Sequence, residues 1–198
     1  FDSASNKVVI AYIDNGNSNY GTAIVGTVNN TSISFGSAVV FESADTFIPS
    51  ATFDNNSNKV VIAYSDVGNQ DRGTAIVGTV SNTSISFGSA VVFDSTGATG
   101  AISSTFDSAS NKVVIAYSDA GSSDKGTAIV GTVSSTSISF GSAVVFEAGA
   151  TTLTSSTFDS LNNKVVIAYK DGGNSNKGTA IVGTVSSTSI SFGSAVVF

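Results

Sequence analysis

The acidic residues of this sequence recur at fixed positions, and they are the side chains with the most capacity for chemistry. Eight of the 14 acidic residues fall at two positions, each of which occurs four times. The first set opens short turns rich in Ser and Asn and comprises Asp2, Asp54, Asp107 and Asp159. The second set opens longer polar loops and comprises Asp14, Asp66, Asp119 and Asp171. Because Asp carboxylates in turns accept hydrogen bonds from nearby backbone N–H groups, we predict that both sets shape turns and that neither is catalytic.

Acidic side chains at these positions have two other possible uses, in a metal site or in catalysis. Asp119 and Asp124 are hard oxygen ligands and are weak candidates for calcium, since the position of Asp124 is Asn in the first and last copies of the loop. A third set, Glu42, Asp94 and Glu147, has the side-chain chemistry of the paired carboxylates of a glycoside-acting enzyme. A glycosidase needs two carboxylates in different roles, but nothing in the sequence distinguishes the acid of one repeat from that of another. We therefore predict no catalytic residues, no firm metal site and no cofactor.

Composition narrows the function classes further. His, Cys, Met and Trp are absent, and the net charge is −6 with only 8 basic residues, which argues against nucleic acid as a partner. No apolar run approaches the ~20 residues needed to cross a bilayer, so no membrane insertion is expected. Charged residues make up 11% of the chain, against roughly 25% in ordinary soluble domains. The abundant Ser, Thr, Asn and Gly favour an extracellular or virion-associated protein.

The acids are spaced by a fourfold internal repeat. Phe-Asp pairs begin at Phe1, Phe53, Phe106 and Phe158, which gives a period of about 52 residues. We predict a single repeat domain over residues 1–198, with units at approximately 1–41, 42–93, 94–146 and 147–198. Segments Glu42 to Thr52, Asp94 to Thr105 and Glu147 to Thr157 are expected to connect the units.

Each repeat contains four candidate strands, named A to D in chain order. In the third repeat they are Ser103–Asp107, Lys112–Tyr117, Thr127–Val133 and Ser137–Phe146, the last interrupted by Gly141. Strand B is apolar on both faces, because Val113, Ile115 and Tyr117 alternate with Val114 and Ala116. The sheet is therefore predicted to be covered on both sides, with the tyrosine of strand B in the core.

Small antiparallel sheets at this period that pack face to face are typical of a β-propeller. The predicted fold is all-β, a propeller built of four-stranded antiparallel blades, and the alternative is an open stack or solenoid of the same sheets. The first and last repeats have no polar caps on their outer faces, which favours a ring or a longer array. Strand A of the first repeat is incomplete, which leaves two alternatives. Either the four blades close the ring by themselves, or the ring is completed by self-association or by further blades.

The repeated string "KVVIAYSDAGSSDKGTAIVGTV", from Lys112 to Val133, and the "TSISFGSAVVF" that follows resemble tandem propeller-type repeats of marine bacteria and their phages. Some of those repeats resemble tail-fibre or adhesin proteins. The resemblance implies a secreted or particle-bound binding protein.

Differences between the repeats concentrate in the B–C loop, between strands B and C, and in the connecting segments. Loops on a rigid scaffold are where binding usually resides. The candidate ligand-binding residues are Asn17, Tyr20, Asn69, Arg72, Asp124, Lys125, Asn174 and Lys177. We predict a non-enzymatic module for carbohydrate or cell-surface recognition on a phage particle or bacterial exterior. A structural filament repeat without a ligand is the alternative, and a glycoside-acting enzyme is disfavoured.

Overall fold

The computed structural model describes residues 1–198 and is all-β, with short 3₁₀ turns as its only helical segments. The strands form two curled antiparallel sheets, one of eight strands and one of nine. No helix in the structure is long and apolar enough to cross a bilayer.

The strands follow the repeats. Repeat 1 contains β1 (Val8–Asp14), β2 (Tyr20–Asn29) and β3 (Ser32–Phe35), and it shares β4 (Val39–Asp54) with repeat 2. Repeat 2 continues with β5 (Lys59–Asp66), β6 (Arg72–Ser81), β7 (Ser84–Phe87) and β8 (Val91–Asp94). Repeat 3 contains β9 (Thr99–Asp107), β10 (Lys112–Asp119), β11 (Lys125–Ser134) and β12 (Ser137–Phe140), and it shares β13 (Val144–Asp159) with repeat 4. Repeat 4 continues with β14 (Lys164–Asp171), β15 (Lys177–Ser186), β16 (Ser189–Phe192) and β17 (Val196–Val197). The 3₁₀ turns are Asn15–Asn17, Val67–Asn69, Ala120–Ser122 and Gly172–Asn174.

Within a repeat the strands pair in the order A, B, C, D as an antiparallel meander. In repeat 3, β9 pairs with β10, β10 with β11, and both β12 and the start of β13 pair with β11. Strand D thus consists of two pieces that lie one after the other along strand C, separated at Gly141. The predicted strands and the predicted interruption of strand D are confirmed.

Two of the predicted connecting segments are extended strand throughout, a feature that their sequence did not indicate. Glu42 to Thr52 lies within β4, and Glu147 to Thr157 lies within β13. The first part of β4 pairs with β2 of repeat 1 up to Asp45, and the rest pairs with β5 of repeat 2 from Thr46 onward. Because backbone partners are present on both sides of the repeat boundary, the segment stays extended despite its lack of a regular strand pattern.

The sheets of neighbouring repeats pack face to face. One face of each sheet, which we call the Ile–Tyr face, carries every second side chain of strand B, as Val113, Ile115 and Tyr117 do in repeat 3. The opposite face, the Val–Ala face, carries Val114 and Ala116. Each Ile–Tyr face covers the Val–Ala face of the preceding repeat, and three buried apolar clusters of 8, 12 and 10 residues fill the three junctions. The prediction that the sheet is covered on both sides is therefore confirmed for repeats 2 and 3.

Repeats 1 and 4 each have one uncovered face, since no buried cluster joins them. Ile10, on the Ile–Tyr face of repeat 1, is 39% exposed, whereas its equivalents Ile62, Ile115 and Ile167 are 0% exposed. Phe198, beside the Val–Ala face of repeat 4, is 78% exposed. Tyr12 lies half-buried on the open face of repeat 1, in contrast to the buried tyrosines of the other repeats.

Glycine permits the close approach of neighbouring repeats. A Cβ atom on Gly36, Gly88 or Gly141 would lie 1.8–1.9 Å from the carbonyl oxygen of a threonine in the next repeat, namely Thr83, Thr136 or Thr188. No glycine in the structure has a positive φ, so these positions require the absence of a side chain and not a special backbone conformation.

Serine hydroxyls join the A strands of successive repeats. Ser103 Oγ lies 2.9 Å from Ser156 Oγ and accepts a hydrogen bond from Ser156 N–H at 2.8 Å. Ser50 makes the same pair of contacts with Ser104, 2.9 Å in each case. The A strands of repeats 2, 3 and 4 therefore lie beside one another.

Candidate functional site

The B–C loops and the D–A connections lie together at one edge of the molecule, which we call the loop edge. In three repeats a backbone N–H group of the connection donates to a carbonyl oxygen of the B–C loop: Thr46 to Asn19, Thr99 to Asp71, and Thr151 to Asp124. The threonines that donate are fully or almost fully buried. The loop edge is therefore fixed to the sheets by hydrogen bonds.

All four B–C loops have the same backbone shape. Each consists of a 3₁₀ turn followed by two residues in the left-handed region, as at Ser123 and Asp124 with φ of 65° and 58°. The equivalent pairs in the other repeats also have positive φ values. Sequence differences among the loops thus change the side chains that are presented and leave the backbone frame unchanged.

The acids that open these loops cap the 3₁₀ turns. Asp119 Oδ1 accepts from Ser122 N–H at 3.2 Å, Asp171 Oδ1 from Asn174 N–H at 3.0 Å, and Asp14 Oδ1 from Gly16 N–H at 3.1 Å. Asp66 is the exception, because its buried Oδ1 accepts no hydrogen bond. Burial, reinforced by the Glu42 carboxylate, raises the pKa of Asp66. The N–H groups of Asn69 and Gly68 oppose this rise only in part, because they lie near the carboxylate but outside hydrogen-bond geometry.

The acids of the A–B turns, between strands A and B, bind backbone N–H groups in every repeat, as predicted. Asp54 Oδ1 accepts from Asn56 and Ser57, at 2.9 and 3.0 Å. Asp2 and Asp107 make the same pair of bonds within their own turns. In the exposed turn of repeat 4, hydrogen bonds from the Asn162 side chain and from backbone N–H groups lower the pKa of Asp159. These carboxylates are occupied in holding turns.

The predicted binding residues all lie on the loop edge. Asn17, Asn69 and Asn174 end their 3₁₀ turns, while Tyr20, Arg72, Lys125 and Lys177 begin strand C. Arg72 is held in place, since its Nη1 donates to Asn69 Oδ1 at 3.3 Å and its Nη2 donates to Gln70 Oε1 at 3.1 Å. The structure brings Arg72 and Asn69 together, and it distributes the other residues one repeat at a time around the edge.

Exposure differs among these residues. Asn17, Asp124 and Lys177 are exposed, whereas Tyr20, Lys125 and Asn174 are half-buried. The half-burial of Tyr20 leaves less of its ring available for contact than the sequence alone suggested. Asp124 and Lys177 are the charged groups most open to a partner.

A Glu–Tyr pair lies beneath the loop edge at two of the three junctions. Tyr64 Oη donates to Glu42 Oε2 at 3.0 Å, and Tyr169 Oη donates to Glu147 Oε2 at 3.1 Å. Burial, with the neighbouring carboxylate, raises the pKa of both phenols. Each tyrosine therefore remains a protonated donor at neutral pH. It joins its own sheet to the part of β4 or β13 that pairs with the preceding sheet.

The middle junction replaces this pair with threonine contacts. Asp94 is one methylene shorter than glutamate, and its Oδ2 accepts from Thr99 Oγ1 at 2.8 Å. Thr96 Oγ1 lies 2.7 Å from Asp94 Oδ1 and 2.8 Å from Asp119 Oδ1, so it is placed to donate to either carboxylate. Burial and the two acids raise the pKa of Tyr117 here as well.

The calcium candidates are not part of a larger acidic cluster. Asp119 is engaged by Ser122 and Thr96, while Asp124 points from an exposed loop position. No group of three His, Cys, Asp or Glu side chains in the structure is placed to hold a metal ion. Calcium binding by Asp119 and Asp124 stays a prediction.

At the opposite edge, the A–B turns surround a cavity that the sequence reasoning did not anticipate; we call it the axial cup. Its volume is about 440 Å³, and all four repeats contribute to its wall. The Phe of each Phe-Asp pair lines the cup, namely Phe1, Phe53, Phe106 and Phe158. Three of these are preceded by threonines that also line it, Thr52, Thr105 and Thr157. The polar turn residues Ser3, Asn55 and Ser108 complete this part of the wall. The repeated Phe-Asp pairs were the available signal, because the Phe of each pair stands at the same end of strand A in every repeat.

A second cavity lies near the other end of the A strands and is mainly apolar. It is about 490 Å³ in volume and is lined by Ile48, Ile102, Leu153 and their neighbours. Ile48 and Leu153 occupy β-bulges and have φ of 51° and 53°, a conformation that is unusual for bulky residues. The cavity offers few polar groups, so it is a poorer candidate for a polar ligand than the axial cup.

In comparisons with known proteins, no protein-family model matched the chain and no curated protein showed significant similarity to it.

Proposed function

We propose that this chain is a non-enzymatic β-propeller-type module that binds a carbohydrate or cell-surface partner through the loop edge. The observation that carries the proposal is the shared backbone of the four B–C loops, on which the side chains differ from repeat to repeat. A set of loops that share one backbone shape and carry different polar groups suits recognition of an extended polar ligand.

The propeller architecture is favoured over an open stack by the axial cup. Stacked sheets lie about 10 Å apart, so the outer members of a straight stack of four would be too distant to share one cavity. Residues of repeat 1, such as Phe1, and of repeat 4, such as Phe158, line the same cup. This sharing supports an arrangement that curves around the A strands.

The non-enzymatic proposal is supported by the bonding of the repeated acids. Most of them accept backbone N–H groups in turns, and Glu42 and Glu147 accept from tyrosine hydroxyls. Carboxylates engaged in this way, and repeated from junction to junction, do not form the isolated acid and base pair of a glycosidase. Placement on a phage particle or bacterial exterior is part of the proposal and is supported by the low charge content.

The test replaces the first residue of strand C in all four repeats. The variant Tyr20→Ala, Arg72→Ala, Lys125→Ala, Lys177→Ala changes loop-edge side chains and leaves the loops intact. The matched control is Ser34→Ala, Ser86→Ala, Ser139→Ala, Ser191→Ala, which changes four exposed serines on strand D, away from the loop edge. Glycan-array and bacterial-cell binding should fall at least about tenfold in the first variant only. Binding that is absent in the parent protein, or unchanged in the first variant, would contradict the proposal.

The axial cup is a second candidate surface for the same ligand class. Its four phenylalanine rings and three threonine hydroxyls combine apolar faces with hydrogen-bonding groups, as small-ligand sites commonly do. The variant Thr52→Val, Thr105→Val, Thr157→Val removes the hydroxyls at nearly constant volume. Loss of glycan binding in this variant, with retention in the loop-edge variant, would move the site to the cup.

A further inference from the structure

The two uncovered faces of the molecule are the two halves of an interface that the chain already makes three times. Repeat 1 exposes an Ile–Tyr face, and repeat 4 exposes a Val–Ala face. At every internal junction an Ile–Tyr face covers a Val–Ala face. We propose that the Ile–Tyr face of repeat 1 binds the Val–Ala face of repeat 4 in a second copy of this chain, head to tail.

The aromatic contacts at the junctions show how specific the match is. A phenylalanine of one repeat packs against a tyrosine and a phenylalanine of the next, as Phe146 does with Tyr169 at 5.2 Å and Phe192 at 5.7 Å between ring centroids. The same arrangement recurs in the triplets Phe41, Tyr64, Phe87 and Phe93, Tyr117, Phe140. Each leading phenylalanine is only 8% exposed.

The parts of a fourth aromatic triplet are separated at the two ends of the chain. Phe198 occupies the position of Phe146 and is 78% exposed. Tyr12 and Phe35 occupy the positions of Tyr169 and Phe192, and Phe35 is 48% exposed. A second copy placed as the next repeat would bring Phe198 onto Tyr12 and Phe35.

The aliphatic surfaces match in the same way. Val182 on the face of repeat 4 is 45% exposed, while its equivalents Val25, Val77 and Val130 are 0% exposed. On the face of repeat 1, Ile33 is 42% exposed, while Ile85, Ile138 and Ile190 are each 3% exposed. Contiguous apolar surfaces of this kind are uncommon on monomers and mark interaction sites.

Gly193 marks the point where the proposed interface would add a close main-chain contact. Its equivalents Gly36, Gly88 and Gly141 lack a side chain because a threonine carbonyl of the next repeat lies where a Cβ would be. Around Gly193, by contrast, the nearest atom to an added Cβ is 3.8 Å away. The head-to-tail contact would place the carbonyl oxygen of Thr31 from the second copy at Gly193.

The contact uses different surfaces on the two partners, so it repeats until it closes into a ring or extends as a filament. Two copies would contribute eight repeats, within the range of about four to eight blades of known propellers. The inference does not depend on glycan binding, because the loop edge is not part of either face.

The first experiment is sedimentation velocity of the parent protein across a concentration series up to about 100 μM. We expect an assembly larger than the 19.8 kDa monomer. Gly193→Ala adds one methyl group in open space within the chain, and it should weaken the association at least about tenfold by overpacking the contact. Gly100→Ala, where an added Cβ has no neighbour within 4 Å, is the matched control and should leave association unchanged.

The second experiment tests the head-to-tail geometry. Ile10→Asp blocks the face of repeat 1, Val182→Asp blocks the face of repeat 4, and each variant alone should be monomeric. An equimolar mixture should form a dimer that does not grow, because each variant retains the one face that the other lacks. Leu161→Asp, at an 88% exposed position outside both faces, should assemble like the parent protein.

Two outcomes would overturn the inference. One is a parent protein that stays monomeric throughout the series. In that case, a lower melting temperature of the Ile10→Asp variant would indicate that the faces of repeats 1 and 4 contact each other within the same chain. The other is an assembly that persists in Gly193→Ala and in both Asp variants, which would place the contact elsewhere.

Discussion

Gly141 lies against the backbone carbonyl of Thr188, so closely that a Cβ atom on the glycine would lie 1.9 Å from that oxygen. The two residues belong to neighbouring repeats, and a main-chain atom cannot rotate away as a side chain can. The spacing between the sheets is therefore set by the main chain at this point.

The first prediction follows from that contact. Gly141→Ala should destabilise the fold by about 2–3 kcal/mol, because the repeats must separate or the backbone must shift. Gly193→Ala is the matched control in the last repeat and should change the monomer's stability by less than about 0.5 kcal/mol. Urea unfolding at a concentration where the chain is monomeric measures both values. Equal effects of the two substitutions would contradict the packing described.

The second prediction concerns the loop-opening acids. Asp119→Ala and Asp171→Ala should each cost about 1–2 kcal/mol, because they leave backbone N–H groups of the 3₁₀ turn without a partner. Asp66→Ala removes a carboxylate that caps nothing, and it should be neutral or stabilising at pH 7. The midpoints of urea unfolding compare the three directly.

The pH dependence of this comparison has a definite sign. Because the pKa of Asp66 is raised in the folded state, its contribution favours folding below the unfolded value of about 3.9 and is lost as pH rises through the folded pKa. Any advantage of Asp66→Ala over the parent should therefore shrink as pH falls from 7 toward about 4. An advantage that grows on acidification would show that the charge of Asp66 is stabilising.

The third prediction concerns the serines of the inner strands. Ser103→Ala leaves the Ser156 N–H and hydroxyl groups without their partner and should cost about 1–2 kcal/mol. Ser155 occupies the same position in repeat 4 and is exposed, with no further strand A beside it. Ser155→Ala should change the free energy of unfolding by less than about 0.5 kcal/mol. A similar loss in both variants would mean that the hydroxyl acts within its own strand.

The fourth prediction concerns an exposed carboxyl group. The Asn162 side chain donates to Asp159 Oδ2 at 2.6 Å and contributes most to the lowering of the Asp159 pKa. Asn162→Ala should raise that pKa toward the ordinary value of about 3.9, as followed by carboxyl chemical shifts in an NMR titration. Leu161→Ala keeps its backbone donor and should leave the titration unchanged. The stability that this interaction contributes is present above the unfolded pKa and is lost as pH falls through the folded one.

Local patterns in the sequence were sufficient to predict most of the secondary structure. The alternation around Ile115 predicted a strand covered on both faces, and the Gly141 interruption predicted the two pieces of strand D. The turn role of Asp54 followed from its chemistry alone. These features depend on residues close together in the chain, where side-chain periodicity and turn preferences act directly.

Features that depend on neighbouring repeats could not be predicted. The connecting segment around Asp45 carries small polar residues that show no clear strand pattern, yet it is extended because two sheets offer it hydrogen bonds. The Glu42–Tyr64 bond likewise joins two neighbouring strand ladders, and the axial cup joins residues of all four repeats. The sequence located the candidate loop residues, but it did not show that Arg72 is held by Asn69 or that Tyr20 is half-buried.

The break between β8 and β9, at residues 95–98, makes one junction unlike the other two. Elsewhere a single uninterrupted strand of 16 residues belongs to two successive sheets, whereas here the main chain leaves the ladder before entering the next one. A protease is expected to cut here in preference to the equivalent positions of the other two junctions, which lie within continuous strands. The cut would yield fragments of nearly equal size that stay bound to each other, since the 12-residue apolar cluster spans the scission point.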